Sequence, residues 1–246
     1  MTGVQELTEL TTGVNTPWAE QRAERVRISR LMLRKWKRET AYFDNVVTTD
    51  ESWVYHYDPL MKQQSTQWIP KGAAPPKKIC AQKSHLKVMI ITFWDQCGLI
   101  YTHYCPAGQT VNTAYYEKVL TQLIQAHIPK KPPEYQGGRW KLHQGNARPD
   151  VSKRMPEFFA KKKIELVLHP PYLLDLAPCN FYLFLIMKKY LKGRRFKSRD
   201  KIVAAVQAIL KKLLKNGFPD IMAKWARRWE KCIALGGDYF EGDHSV

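Results

Sequence analysis

Hydrophobic positions along the chain change period several times, and each change marks an element. From Trp18 to Thr40 the period is helical: Ile28, Leu31, Met32 and Trp36 fall at i, i+3, i+4 and i+8 and define one apolar face. The rest of that surface carries Arg22, Arg25, Arg27, Arg30, Arg34, Lys35, Lys37 and Arg38. Strand-like segments follow. Val46-Val47-Thr48 leads into Asp50, Trp53 to Tyr57 continues it, and Val88 to Trp94 is almost wholly apolar and β-favouring. Asp95-Gln96-Cys97-Gly98 has the composition of a turn, with Leu99 to Tyr104 as its hairpin partner. Trp140-Lys141-Leu142 and Ile164 to Leu168 are two more short strands.

Helical patterns interleave with the later strands. One runs from Asn112 to Ala126 and another from about Val151 to Lys163, where Pro156 sits inside the span. An interior proline kinks a helix or costs it about 3 kcal/mol. The clearest helix runs from Arg199 to Leu214, with Ile202, Val206, Ile209, Leu210 and Leu213 as its apolar stripe. Ser198 is placed to cap it and Asp200 suits its first turn. Residues 1–17 are polar and aperiodic, as in a loose tail. The segment from Asp58 to His85, with Trp68, Pro70, Gly72, Pro75 and Pro76, separates the first two strands; a loop of that length is functional or mobile. Three strands, a helix, then alternating strands and helices predict an α/β fold with a mixed sheet.

Composition narrows the partner. The 246 residues fit one large domain, or one domain plus an arm, and 44% hydrophobic content supports a core. Lys and Arg number 40 against 22 Asp and Glu, so the formal charge is +18 and a polyanionic partner is favoured by counterion release. The basic helix either touches phosphates or is a solvated face. The same choice applies to Lys161-Lys162-Lys163 and to Lys192-Gly193-Arg194-Arg195-Phe196-Lys197, which would also serve nuclear import. DNA contact leads for the second run, because Phe196 offers a stacking ring. The five cysteines, Cys80, Cys97, Cys105, Cys179 and Cys232, are odd in number with no C-x-x-C pair, which reads as reduced thiols inside a cell. No apolar run approaches the roughly 18 residues of a membrane span. Met1 to Val14 lacks the order of a signal peptide, so a cytosolic or nuclear protein is expected.

Three stretches carry a family resemblance: Thr48-Thr49-Asp50-Glu51-Ser52-Trp53, His143-Gln144-Gly145-Asn146-Ala147-Arg148-Pro149-Asp150, and His169-Pro170-Pro171-Tyr172 through Asp175-Leu176-Ala177-Pro178-Cys179-Asn180-Phe181. Trp94-Asp95-Gln96-Cys97-Gly98 and the ending Arg228-Trp229-Glu230-Lys231-Cys232-Ile233 with Gly237-Asp238-Tyr239-Phe240 support them. In content and order, from about residue 18 to the C-terminus, they resemble mariner-type transposases of the Tc1/mariner superfamily, including the transposase part of SET–mariner fusion proteins. The resemblance implies an RNase H-like mixed sheet flanked by helices. It divides the chain into a tail and basic linker helix over 1–40 and a catalytic domain over 41–246. It also implies double-stranded DNA as partner, a nuclear location, and a homodimer held through the linker and the Asp58–His85 loop. The two helix-turn-helix domains that precede the linker in the family are expected to be missing. The DNA contacts expected from the basic segments are Arg30, Arg34, Lys35, Arg194 and Arg195.

The family's chemistry needs three aspartates. Two Mg²⁺ ions about 4 Å apart activate the attacking oxygen and stabilise the leaving one, and Mg²⁺ prefers carboxylate oxygens. By resemblance the three positions are Asp50, Gly145 and Asn180, with 34 residues between the last two. Gly145 has no side-chain ligand, and Asn180 offers only a neutral amide oxygen, so formal site charge falls from −3 to −1. Asp50, with weak help from Asn180, is left to hold metal, and binding is expected to be weak or absent. No neighbour obviously substitutes. Asp150 follows Gly145 by five residues, Glu51 alternates to the other strand face, and Asp175 belongs to the loop motif. Leu173 and Leu174 replace the family's usual Ser-Pro. Three functions are therefore expected in turn: a decayed or domesticated DNA-binding transposase domain unable to cut or join strands, a residual metal-dependent nickase, or a non-catalytic dimerising scaffold. His143 is expected to shape a strand end. His56, His85, His103 and His169 show no metal spacing, and Trp53, Trp94 and Trp229 suit the core.

Overall fold

The computed structural model describes residues 17–59, 82, 84–133, 135, 140–145, 154–169, 174–213, 218 and 220–240. Asp150, Leu173, the tail over 1–16 and most of the Asp58–His85 segment lie outside them. Strand β1 (Val46–Tyr55) occupies the middle of a five-stranded sheet of order β3-β2-β1-β4-β5. It pairs antiparallel with β2 (Lys87–Asp95), which turns back into antiparallel β3 (Gly98–Tyr104). On its other side it pairs parallel with β4 (Lys141–Gln144), and β4 pairs parallel with the two-residue β5 (Glu165–Leu166). The hairpin turn is built on Asp95. Its Oδ1 accepts the amide N–H groups of Cys97 and Gly98 at 2.9 and 3.0 Å, while Oδ2 accepts from Tyr135 and Lys131, both at 2.7 Å.

Helices cover both faces. On one side α2 (Thr113–Gln122) and α3 (Arg154–Lys161) enclose Val47, Ile91, Phe93, Leu120, Leu142 and Phe159. On the other side lie α1 (Pro17–Arg38), α4 (Leu185–Leu191), α5 (Arg199–Leu213) and α6 (Ile221–Ala234), around Val46, Ile90, Trp94, Met187, Val206 and Trp225. Strand β2 is buried on both faces, which explains its unbroken apolar run. Ser198 Oγ accepts the Lys201 amide at 3.4 Å, the cap expected for α5.

Several expectations need correction. Leu31, assigned to the buried face of α1, is 36% exposed; Arg25, Ile28, Ser29 and Met32 form the buried stripe instead. Arg25, counted among the surface cations, is buried because it pairs with Asp175 across 150 residues of sequence. The helix expected over Asn112–Ala126 ends at Gln122 and continues as a π turn over Leu123–His127. Pro156 is the third residue of the described α3, a first-turn position whose amide would have no acceptor within that span, so it does not interrupt the helix. The π turn over Cys179–Phe184, the α4 that follows it, and α6, which buries Ile221, Met222, Trp225, Ala226, Trp229 and Cys232, were not foreseen. Helix α1 lies along α6, and its Ile28 and Met32 share a core with Trp225 and Trp229.

The turn after α6 closes tightly on α1. Gly237 has φ +88, and a Cβ there would stand 2.9 Å from Arg22 Cα. Gly108, at φ +75, has nothing within 4 Å. Gly237→Ala should therefore lose more than the roughly 1–2 kcal/mol that left-handed backbone costs an alanine, and Gly108→Ala should lose that alone. Urea midpoints of the two variants check this; equal losses would contradict the close approach.

Candidate active site

Asp50 points from β1 toward the helix-rich face that holds α4, and its Cα partner on β2 is Thr92. Gly145 follows directly after β4, where a Cβ would lie 3.5 Å from Asp50 Cγ and from both carboxylate oxygens. Asn180 belongs to the π turn ahead of α4 and donates its side-chain amide to Asp50 Oδ2. Asp50 Oδ1 accepts the Glu51 amide at 2.8 Å. The three positions singled out in the sequence thus converge from the middle of β1, the end of β4 and a helix entry. Burial raises the Asp50 carboxyl pKa, and the Glu51 and Asn180 hydrogen bonds and the Lys188 charge only partly offset it.

These residues do not fit a pair of divalent ions. Asp50 is the one carboxylate, Gly145 supplies no atom, and Asn180 turns N–H toward the carboxylate where a ligand would turn oxygen toward a cation. Asp175 is committed to Arg25 at 2.6 Å. Among the described residues no group of three or more His, Cys, Asp and Glu is placed to hold a metal ion.

A buried polar cluster adjoins the site. Thr48 Oγ1 lies 3.0 Å from His143 Nδ1 and 3.8 Å from Cys179 Sγ, and Trp94 Nε1–H donates to that sulfur at 3.1 Å. His143 Nε2 is 3.1 Å from His169 Nδ1, and the Trp225 ring meets His143 edge-on at 4.5 Å. Thr48 and Cys179 lay inside the sequence motifs without a role assigned, and their i−2 and i−1 offsets from Asp50 and Asn180 were the available signal; His169 was weighed only for metal spacing. His143, expected to shape a strand end, is fully buried near the end of β4. Burial, with a smaller effect from His169, holds its pKa well below the ordinary 6.5. The unfolded chain takes up that proton and the folded one resists. Stability from this group is therefore complete above about pH 6.5 and is lost as pH falls from there toward the depressed folded value. Thermal unfolding followed over that range should show the decline, and His143→Gln should flatten it.

The cations chosen from the sequence differ in availability. Arg30 and Arg34 are exposed on α1. Lys35 is half-buried, 3.8 Å from Glu165 and 3.6 Å over the Tyr42 ring, so part of its charge is used within the fold. Arg194 and Arg195 are exposed on a strap that bridges to Tyr57, with the Arg195 guanidinium 3.9 Å over the Tyr57 ring. Phe196 is not a free stacking platform: it is half-buried against the core, and Arg194 lies 5.2 Å over its ring.

Comparison with known proteins agrees with this geometry. Residues 58–137 match a transposase family described as a partial DDE domain. The mariner Mos1 transposase of Drosophila mauritiana is 29% identical over 214 residues, 86% of this chain and 60% of that protein. The human histone-lysine N-methyltransferase SETMAR is 28% identical over 210 residues, 81% of this chain and 29% of that protein. A crystal structure of the Mos1 mariner paired-end complex with Mn superposes with a TM-score of 0.81 at 27% identity, covering 98% of this chain and 69% of the other. The mixed sheet, its helices and these likenesses define an RNase H-like fold similar to the catalytic domains of DDE transposases. Within that class the likeness is to the catalytic domain of mariner-type transposases, and the chain spans less than two thirds of the length of the curated relatives it matches.

Proposed function

We propose that this protein binds duplex DNA in the nucleus as a decayed or domesticated transposase domain and neither cuts nor joins strands. One observation carries the reading: of three converging site positions, only Asp50 keeps a carboxylate, and its oxygens are taken by the Glu51 and Asn180 amides. Support for DNA binding comes from the +18 charge, the exposed Arg30, Arg34, Arg194 and Arg195, and the likeness to a paired-end complex. A homodimer is part of the same proposal, supported by the likeness to a paired-end complex.

The test is nicking of supercoiled plasmid in Mg²⁺ and in Mn²⁺, beside a Gly145→Asp, Asn180→Asp variant. Removing one charge-stabilising contact commonly lowers an enzyme's rate about 10²–10³-fold, and two ligands are missing here. The unmodified chain should therefore show no cleavage, while its affinity for duplex DNA falls linearly on a plot of log K against log salt. Nicking that Asp50→Ala abolishes would overturn the reading, whereas nicking that survives Asp50→Ala marks a contaminating nuclease.

A further inference from the structure

We propose that Thr48, His143 and Cys179 are positioning residues that aim Asn180 at Asp50, holding the site in shape without a metal. The proposal rests on the site reading above and names the parts that set its geometry. Each member sits just upstream of a site position. Thr48 precedes Asp50 by two residues on the same face of β1, and His143 precedes Gly145 by two at the end of β4. Cys179 directly precedes Asn180 in the π turn. Thr48 and His143 are also registered partners in the parallel β1–β4 pairing. A single threonine hydroxyl thus touches both of the other elements that bear the site, at 3.0 Å to His143 and 3.8 Å to Cys179.

The cluster is closed and dry enough to be specific. Thr48, His143, Cys179 and Trp94 are each at most 1% exposed. A buried hydroxyl, imidazole and thiol without partners would be costly, so each constrains the next. Proton order is consistent in either direction. If Thr48 donates to His143 Nδ1, then Nε2–H donates to His169 and the Cys179 thiol donates to Thr48. If Nδ1–H donates to Thr48, the threonine proton turns to sulfur. The sulfur is also fixed from β2 by the Trp94 indole N–H at 3.1 Å. Held from β1 and β2, Cys179 fixes the azimuth of the π turn, and the next side chain, Asn180, reaches Asp50 Oδ2. Single π turns inside helices are frequent at functional sites.

The test is NMR on the whole ¹⁵N-labelled chain, reading the Asn180 side-chain amide, identified by its loss in Asn180→Asp. Asp50→Asn should shift that amide, which establishes the contact. Thr48→Val, which keeps shape and removes the hydroxyl, should speed exchange of the Asn180 amide protons about tenfold, the loss of one hydrogen bond's worth of protection. Thr48→Ser should restore it. If Thr48→Val does not fold, Cys179→Ala supplies the same reading from the other end of the clasp. A folded Thr48→Val or Cys179→Ala protein with the parental Asn180 signals would overturn the positioning role alone. An Asn180 amide unmoved by Asp50→Asn would overturn the site contact, and the proposal with it.

Discussion

Arg25→Ala should destabilise this protein by about 3–5 kcal/mol, the usual loss when one partner of a buried ion pair is removed. The Arg25 side chain is 5% exposed and that of Asp175 is 1%, so water cannot replace the missing cation. Arg25 makes two bonds to the Asp175 carboxylate, at 3.2 and 2.6 Å, and a third to the Asp238 carbonyl at 3.1 Å. Arg228 donates to the Asp175 carbonyl at 2.7 Å, a backbone contact that does not replace the Arg25 bonds to the carboxylate. Replacing both partners by apolar residues, as in Arg25→Met with Asp175→Leu, should recover most of the loss, because no lone buried charge remains. Denaturant unfolding followed by tryptophan fluorescence measures both. A double variant no more stable than Arg25→Ala would show that the pair matters through shape and not charge.

The second large effect concerns the site. Gly145→Asp with Asn180→Asp should make stability depend on divalent metal. The backbone has room for the new side chain, since a Cβ at 145 meets only ordinary contact distances of 3.5 Å to Asp50. Without metal, three carboxylates around one point repel and should lower the melting temperature. With Mg²⁺ or Mn²⁺ at 100 times Kd, binding to the folded state alone should add about 2.7 kcal/mol. The unmodified chain should show no such shift. Calorimetric melts with chelator and with metal decide it: a metal-induced rise in the unmodified chain would mean that a further ligand completes the site around Asp50.

The sheet and the site positions were readable from sequence for different reasons. Val88–Trp94 and the α5 stripe carry their period locally, so their strand and helix needed no tertiary information. Asp50, Gly145 and Asn180 were readable because motif order fixes spacing in the chain. Helix α4 was not, because apolar residues surround it: Leu183, Phe184 and Met187 are buried, but Leu185 is 55% exposed and blurs the stripe. Helix α6 did have a helical period, at Met222, Trp225, Trp229 and Cys232, within a stretch that resemblance marked only as an ending. Arg25 shares the face of Ile28 and Met32 by helical period, so its burial was legible, but its partner was not, since only folding brings Asp175 to it. The basic character of α1 was legible; which of its cations remain available was not.

The seating of α1 bears on where this chain is divided for laboratory use. A fragment begun at residue 41 loses Ile28 and Met32, which are 5% and 2% exposed, from the core shared with Trp225 and Trp229. It also strips Asp175 of its cation and uncovers the face of α6. Such a fragment would carry a greasy, charge-stranded flank prone to clumping and proteolysis. The smallest well-behaved piece of this protein therefore starts ahead of α1, not behind it.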